Sequence, residues 1–203
     1  VTAGSGVAIG LPGNFGVASS NEAARLPAAQ GLQAIVSGSC SVATNQQVMD
    51  FIKAGQPALA IDPLRIAAGV DVAAEALAWA EGHLGKGPVL VYSTAEPSAV
   101  RAIQGKLGSE KAGAMVEETI AAIARGLVQR GVRQLIVAGG ETSGACVQAL
   151  GITQMRIGAQ IDPGVPWCHA VAPDAKDGLH ITLKSGNFGS TDFFTKAFAQ
   201  LLA

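Results

Sequence analysis

Three short segments rich in serine and glycine carry the residues best suited to chemistry in this chain. They are Ser-Gly-Ser-Cys-Ser at residues 37–41, Gly-Gly-Glu-Thr-Ser-Gly at 139–144 and Ser-Gly-Asn-Phe-Gly at 185–189. Each follows an apolar, β-branched run and precedes a helical pattern. A turn of this kind directs unpaired backbone N–H groups and the positive end of a helix dipole at one point, which makes an anion site. Three such turns indicate a polyphosphate ligand, most naturally a nucleotide.

The side chains of the middle segment suit the same chemistry. Glycine lets the backbone approach a phosphate, the hydroxyls of Thr142 and Ser143 can donate to its oxygens, and Glu141 can orient a ribose or a hydrated Mg²⁺. A purely structural interpretation treats the segments as tight turns, with Thr142 or Ser143 as a helix N-cap and Phe188 buried. A carboxylate among phosphate donors is hard to explain by packing, which favours the binding interpretation.

The elements around these segments alternate between strands and helices. The expected strands are residues 34–37, 57–61, 89–92, 134–138, 155–158 and 179–184. The expected helices are residues 42–54, 71–82, 98–107, 112–130, 145–150 and 190–202. This alternation predicts an α/β fold of three layers, in which a largely parallel sheet carries helices on both faces. The three segments then lie at the carboxyl ends of strands, where such sheets bind ligands.

Local signals add detail to this prediction. Asp71 is expected to cap the helix that follows it, and Gly131 is expected to end the longest helix. Residues 162–167 are expected to form a stiff, turn-rich loop because they contain two prolines and a glycine. The residues of the first long helix expected to face the core are Val42, Val48, Met49 and Ile52.

The composition bounds the function classes. A chain of 203 residues with 49% apolar and 14% charged residues has ample material for one domain. Fourteen basic against fifteen acidic residues give a net charge of −1, and only 4% of residues are aromatic. Neither a nucleic acid nor an anionic membrane surface is therefore an expected partner. No apolar run reaches the ~20 residues that span a bilayer.

The cysteines indicate a reducing, cytoplasmic setting. Cys40, Cys146 and Cys168 are odd in number, widely spaced, and form no metal-ligand cluster with the histidines. No protein metal site is predicted. Cys40 and Cys146 lie in or just after the serine- and glycine-rich segments, where a catalytic thiol is conceivable, but packing is the favoured interpretation.

Two familiar nucleotide signatures are missing. No GxGxxG follows the first strand, which argues against a Rossmann-type oxidoreductase, and no GxxxxGK[ST] is present. Residues 82–87 resemble the second pattern but lack Ser or Thr after Lys86 and precede a strand instead of a helix.

Four segments in order make the chain similar to the four-carbon acid sugar kinase family, which includes 3-oxo-tetronate, D-threonate and D-erythronate kinases. They are residues 37–41, 137–144, 161–167 and 183–189. The resemblance covers essentially the whole chain but only the C-terminal, nucleotide-binding half of that family.

The resemblance implies a domain organisation. Residues 1–30 are expected to be the inter-domain crossing or linker, and residues 31–203 the C-terminal nucleotide-binding domain. The family's substrate-binding N-terminal domain is absent from this chain. The isolated chain is therefore expected to bind nucleotide without phosphorylating a substrate.

The resemblance also implies ATP-dependent phosphorylation of a terminal hydroxyl on a four-carbon sugar acid, with Mg²⁺ as cofactor. The implied ATP-binding residues are Ser39, Gly140, Glu141, Thr142, Ser143 and Gly186. No catalytic residue is identified, because Asp62, Asp162 and Asp192 occupy ordinary turn and helix-start positions. The general base and the contacts to the sugar acid are expected in the missing domain.

Another class of function stays open on the sequence. A non-catalytic module that senses a nucleotide or sugar phosphate would use the same loops without Mg²⁺ and without a partner domain. The face left exposed by the absent half could also pair two copies as a homodimer.

Overall fold

The computed structural model describes residue 7 and residues 9–18, 20–93 and 109–201. The strands are β1 (Leu32–Ser37), β2 (Ala58–Ala60), β3 (Val89–Tyr92), β4 (Val132–Ala138), β5 (Arg156–Asp162), β6 (Val165–Ala172) and β7 (Ala175–Lys184). The helices are α1 (Leu11–Asn14), α2 (Val42–Lys53), α3 (Pro63–Ala67), α4 (Val72–Glu81), α5 (Ser109–Gln129), α6 (Gly140–Ala149) and α7 (Phe193–Leu201), and a 3₁₀ turn spans Asn21–Ala24. The helix expected at residues 98–107 lies outside the described residues.

The strands form one sheet in the order β2-β3-β1-β4-β7-β6-β5. The first five strands in this order are parallel, and β6 and β5 continue the sheet in antiparallel fashion. Helices α4, α5 and α6 cover one face, where Ala34 and Val36 point. Helices α2 and α7 cover the other face, where Ile35 points. The predicted three-layer α/β fold with a largely parallel sheet is confirmed.

The prediction of a stiff, turn-rich loop at residues 162–167 is wrong. Residues 163–164 make a tight hairpin turn between β5 and β6, and Gly164 has φ +79° there. Val165 and Trp167 then alternate into the core. Pro166 is tolerated inside a paired strand because the register with β5 is irregular at that point.

The predicted inward face of α2 is only partly correct. Val48 is buried, but Val42 is 67% exposed and Met49 is 50% exposed. The buried stripe of this helix consists of Thr44, Gln47, Val48 and Phe51, at the i, i+3, i+4, i+7 spacing of an amphipathic helix. Two of these residues are polar, so a search for apolar periodicity misplaces the stripe.

Other local predictions hold. The Asp71 side chain accepts a hydrogen bond from the backbone N of Ala74 at 3.0 Å and caps α4. Gly131 follows α5 with φ +93°, a conformation that glycine adopts without a steric penalty. The strand expected at 89–92 is β3.

Polar side chains on β1, β4 and β7 hold the segment that precedes β1. Nε2 of Gln134 donates to the carbonyl of Gln30 at 3.4 Å, and Oε1 of Gln134 accepts from Gln33 at 2.9 Å. Nε2 of His180 lies 3.0 Å from the carbonyl of Pro27. This row lies at the amino ends of the parallel strands, at the opposite end of the sheet from the three serine- and glycine-rich segments.

We expect the protein to lose stability as the pH falls from about 7.5 to about 5.5, in part through His180. Burial lowers the pKa of its imidazole below 6.5, the Pro27 carbonyl opposes this, and His169 adds to the lowering. The contribution of neutral His180 to the free energy of unfolding is therefore complete above pH 6.5, and it is lost as the pH falls through the pKa of His180 in the folded state. Thermal unfolding at both pH values should show a smaller loss for His180→Gln, and equal losses would contradict this assignment.

Candidate nucleotide site

The fold brings the three serine- and glycine-rich segments to one place. They follow β1, β4 and β7, which are neighbours in the sheet and run parallel. A β-carbon added to Gly139 would lie 3.3 Å from the backbone N of Ser39. A β-carbon at Gly186 would overlap Oγ of Ser39 and lie 3.0 Å from Oγ of Ser41. Backbone from all three segments therefore meets at the carboxyl end of the sheet, and we call the surface between the three segments the crevice.

The middle segment is the first turn of α6. The helix begins at Gly140, five residues earlier than the sequence indicates, and its N-cap Gly139 has φ +127° and no side chain to cap it. The N–H groups of Gly140, Glu141 and Thr142 therefore have no acceptor within the helix. Free N–H groups at a helix N-terminus are able to bind an anion.

The expected N-cap role of Thr142 or Ser143 is wrong, because the N-cap is Gly139 and both hydroxyls have other partners. Oγ1 of Thr142 donates to Oε1 of Glu117 at 3.1 Å, and Oγ of Ser143 donates to the carbonyl of Gly139 at 2.6 Å. Glu141 and Gly140 are exposed at the mouth of the crevice, whereas Thr142 is buried.

The first segment ends in a true cap. Oγ of Ser41 accepts a hydrogen bond from the backbone N of Thr44 and also donates to the carbonyl of Gly186 at 2.5 Å. Oγ of Ser39 donates to Oγ of Ser41 at 3.3 Å. The predicted site residues Ser39 and Gly186 are thus direct neighbours, joined through the hydroxyl of Ser41.

The third segment is held by its carbonyl oxygens. The carbonyl of Gly186 accepts from Oγ1 of Thr44 at 2.8 Å and from Nζ of Lys184 at 3.2 Å. Lys184 also donates to the carbonyl of Ser185 at 3.1 Å. Because the C=O and N–H of one planar peptide point in opposite directions, the N–H groups of Gly186 and Asn187 face away from these anchors. The loop presents backbone donors, as an anion-binding nest does.

Gln47 fixes the far side of the same loop. Its Nε2 lies 3.1, 3.1 and 3.0 Å from the carbonyls of Phe188, Gly189 and Ser190. Asp162 completes the anchoring, because its carboxylate accepts from the backbone N of Ser190 at 2.9 Å. Phe188 is 46% exposed, so its predicted burial is wrong.

The carboxylates considered as bases have structural partners. Asp162 pairs with Lys196 at 2.6 Å, Asp62 caps α3 through the N of Leu64, and Asp192 accepts from Oγ of Ser190.

Glu117, on α5, brings an unexpected carboxylate to the crevice. Its Oε1 accepts from Thr142, whereas its Oε2 is buried without a hydrogen-bond partner. Burial raises the pKa of Glu117, Thr142 opposes this, and the charge of Glu141 raises it further. The crevice thus has two neighbouring carboxylates, Glu117 and Glu141, whose charges oppose each other.

The cysteines do not support thiol catalysis. Burial, followed by the charge of Glu117, raises the pKa of the Cys146 thiol to about 12, so it stays protonated at neutral pH. Sγ of Cys40 contacts the carbonyl of Gly38 at 3.8 Å.

Four residues near the site, Lys184, Thr44, Gln47 and Glu117, are not predicted from the sequence. Lys184 stands inside a quoted motif, but its role depends on contacts with α2. Thr44 and Gln47 are polar residues on a buried helix stripe, and Glu117 lies on a distant helix. The one signal in the sequence is that Lys184 stands at a core-facing position of a strand, where an apolar residue is expected.

Within residues 7, 9–18, 20–93 and 109–201, no group of three or more His, Cys, Asp or Glu side chains could hold a metal ion. No helix in that part of the chain is long and apolar enough to cross a membrane.

Comparisons with known proteins place the chain in a family. A family model described as "Nucleotide-binding C-terminal domain" matches residues 34–194. The 3-oxo-tetronate kinase of Cupriavidus necator is 53% identical over 205 residues, covering 99% of this chain and 46% of the relative. The chain spans about half the length of the curated relatives it matches.

Solved structures agree with the fold. A Haemophilus influenzae protein of the DUF1537 family has a TM-score of 0.80 and 37% identity, covering 87% of this chain and 42% of that chain. A Bordetella bronchiseptica DUF1537 domain, solved with bound citrate as a domain-swapped dimer, has a TM-score of 0.65 at 22% identity, covering 85% of this chain and 42% of that chain. The second likeness concerns the fold alone. On the family match and the high identity along nearly its whole length, the chain belongs to the four-carbon acid sugar kinase family, in the part matched by the nucleotide-binding C-terminal domain.

Proposed function

We propose that this chain is the ATP-binding domain of a kinase that phosphorylates a terminal hydroxyl of a four-carbon sugar acid. The observation that carries the proposal is that the first turn of α6, whose N–H groups have no acceptor within the helix, lies directly beside the loop after Lys184, whose carbonyls are held from behind. Such donors bind phosphate oxygens and stabilise the charge that develops on a transferred phosphoryl group. The ATP contacts proposed are those of Ser39, Gly140, Glu141, Thr142, Ser143 and Gly186.

The residues present fit a magnesium ion held together with nucleotide phosphates. Mg²⁺ is commonly bound by one or two carboxylates, with phosphate and water oxygens as its remaining ligands. Glu141 is exposed at the crevice, and Oε2 of Glu117 is a buried acceptor without a donor. These two carboxylates would hold the ion directly or through its water. When bound, the ion would neutralise phosphate charge during transfer.

The general base and the sugar-acid site are proposed to lie in an N-terminal domain outside this chain. This fits the span of the chain, about half of each kinase relative, and the structural partners of its own aspartates. Residues 31–203 would then form the nucleotide-binding domain, with residues 1–30 as the crossing. The isolated chain would bind ATP and phosphorylate nothing.

A homodimer and a cytoplasmic setting complete the proposal. Strand β5 ends the sheet, and its Ile157 side chain is 64% exposed, which offers a second copy a strand edge with one exposed apolar side chain. Light scattering during size-exclusion chromatography measures the assembly. The free thiols of Cys146 and Cys168 are buried and suit a reducing compartment.

Calorimetric titration of ATP into the chain, with and without Mg²⁺, tests the function. We expect saturable binding that Mg²⁺ strengthens and that Gly140→Asp weakens at least tenfold, because the new carboxylate repels phosphate at the helix N-terminus. Gly144→Asp is the control, since it adds the same charge one turn further along α6, where a β-carbon meets no atom within 4 Å, and it should weaken binding far less. Binding that is independent of Mg²⁺ would favour the sensing module instead.

A further inference from the structure

Lys184 is a fully buried lysine at the end of β7, directly before the third segment. Its Nζ donates to Oγ1 of Thr44 at 2.9 Å and to the carbonyls of Ser185 and Gly186 at 3.1 and 3.2 Å. These three acceptors use all three of its donors, and all are neutral. Among the described residues, no carboxylate lies within ion-pair distance of this ammonium.

A buried ammonium without a counter-charge is costly compared with an apolar side chain of similar length. Methionine would fill the same space without this desolvation cost. Packing alone therefore does not explain a lysine at this position. The contacts explain it better, because two of them fix the orientation of peptides that line the crevice.

We infer that Lys184 is a positioning residue for the nucleotide phosphates. It holds the carbonyls of Ser185 and Gly186 inward, and the bound phosphate supplies its counter-charge. The inference rests on the proposed nucleotide site. Turning the carbonyls inward directs the N–H groups of Gly186 and Asn187 to the crevice. The cation behind these peptides also adds positive potential where the phosphates bind.

The electrostatic surroundings of Lys184 support this role. Burial lowers the pKa of its ammonium to about 8. From α2, the groups that surround the third segment are the hydroxyl of Thr44 and the amide of Gln47. Among the described residues, the charged side chains of α2 and α7 and their near neighbours form no hydrogen bond or ion pair with Nζ; they are Asp50, Lys53, Asp192 and Lys196. The nearest carboxylate of the β5–β6 turn, Asp162, is paired with Lys196.

The pH dependence follows from this arrangement. A phosphate bound near Lys184 favours its charged form, so nucleotide binding should take up a proton when the pH is near or above 8. Affinity should accordingly fall as the pH rises through about 8, approaching tenfold per pH unit above that value.

The test is calorimetric titration of Mg·ADP at pH 7.0, 8.0 and 9.0 for the wild-type chain, Lys184→Met and Lys184→Gln. We expect the wild-type affinity to fall about tenfold across this range, and the dissociation constants of both variants to be at least tenfold higher at pH 7.0 and nearly independent of pH. Lys53→Met, an exposed lysine on α2, should match the wild type at every pH. Thermal unfolding at pH 7.0 should show no loss of stability in Lys184→Met.

Titration of the wild type in two buffers of different ionisation enthalpy measures proton uptake without any variant, so the inference stays testable if both variants fail to fold. Wild-type binding with no proton uptake, or with the same pH profile in Lys184→Met, would overturn the role of Lys184 and leave the proposed function standing. Absence of any Mg·ADP binding to the folded wild type at all three pH values would overturn the proposed function, and this inference with it.

Discussion

Gly186→Ala is expected to weaken ATP binding at least 100-fold, about 2.7 kcal/mol, while the protein stays folded. The added β-carbon would overlap Oγ of Ser39 and lie 3.0 Å from Oγ of Ser41. Ser41 cannot retreat freely, because its hydroxyl also caps α2 and donates to the Gly186 carbonyl. The third segment must therefore move outward, and the backbone donors of two segments no longer converge on one phosphate group.

The matched control for this substitution is Gly144→Ala. Gly144 lies in α6, where a β-carbon would meet nothing within 4 Å. Alanine is the better helix former, so this variant should gain about 0.5–1 kcal/mol of stability and bind ATP as the wild type does. Isothermal titration gives the affinities, and thermal unfolding gives the stabilities. Unchanged affinity in Gly186→Ala would remove the third segment from the proposed phosphate site.

The positions of the three segments are predictable because their chemistry is local. A strand, a glycine turn and a following helix can each be predicted from neighbouring residues. The parallel arrangement then brings the carboxyl ends of the strands together. The start of α6 is less predictable. Residues 140–144 contain two glycines, a threonine and a serine, which have low helix propensity, yet they form its first turn because β4 ends directly before Gly139.

The anchoring residues are not predictable in the same way. Thr44 and Gln47 donate to backbone carbonyls more than 100 residues away, and Lys184 needs the hydroxyl of Thr44, 140 residues away, as a third acceptor, so these roles exist only after α2 packs on the sheet. In a sequence, a polar residue on a buried helix stripe looks like a break in the apolar pattern. The same reason hides the β5–β6 hairpin, where Pro163, Gly164 and Pro166 resemble an irregular loop.

Glu117→Gln is expected to change stability and binding in opposite directions. In the wild type, Oε2 of Glu117 is a buried acceptor without a donor, beside the charge of Glu141. Glutamine keeps an oxygen that can accept from Thr142 and removes the buried charge. We expect a gain of about 1 kcal/mol in the free energy of unfolding at pH 7.5, measured in the absence of nucleotide and Mg²⁺.

The same substitution should reduce the gain in ATP affinity caused by Mg²⁺ at least tenfold. The reason is that a neutral amide is a weaker partner for a hydrated Mg²⁺ than a carboxylate. ATP affinity without Mg²⁺ should be unchanged or slightly higher, since one negative charge near the phosphates is gone. Glu118→Gln is the control, as the adjacent carboxylate on α5 is exposed and should affect neither quantity. If Glu117 has only a structural role, Glu117→Gln should change the stability and leave the effect of Mg²⁺ on ATP affinity unchanged. A gain in stability together with a loss of the Mg²⁺ effect would assign its unpaired oxygen to cation binding.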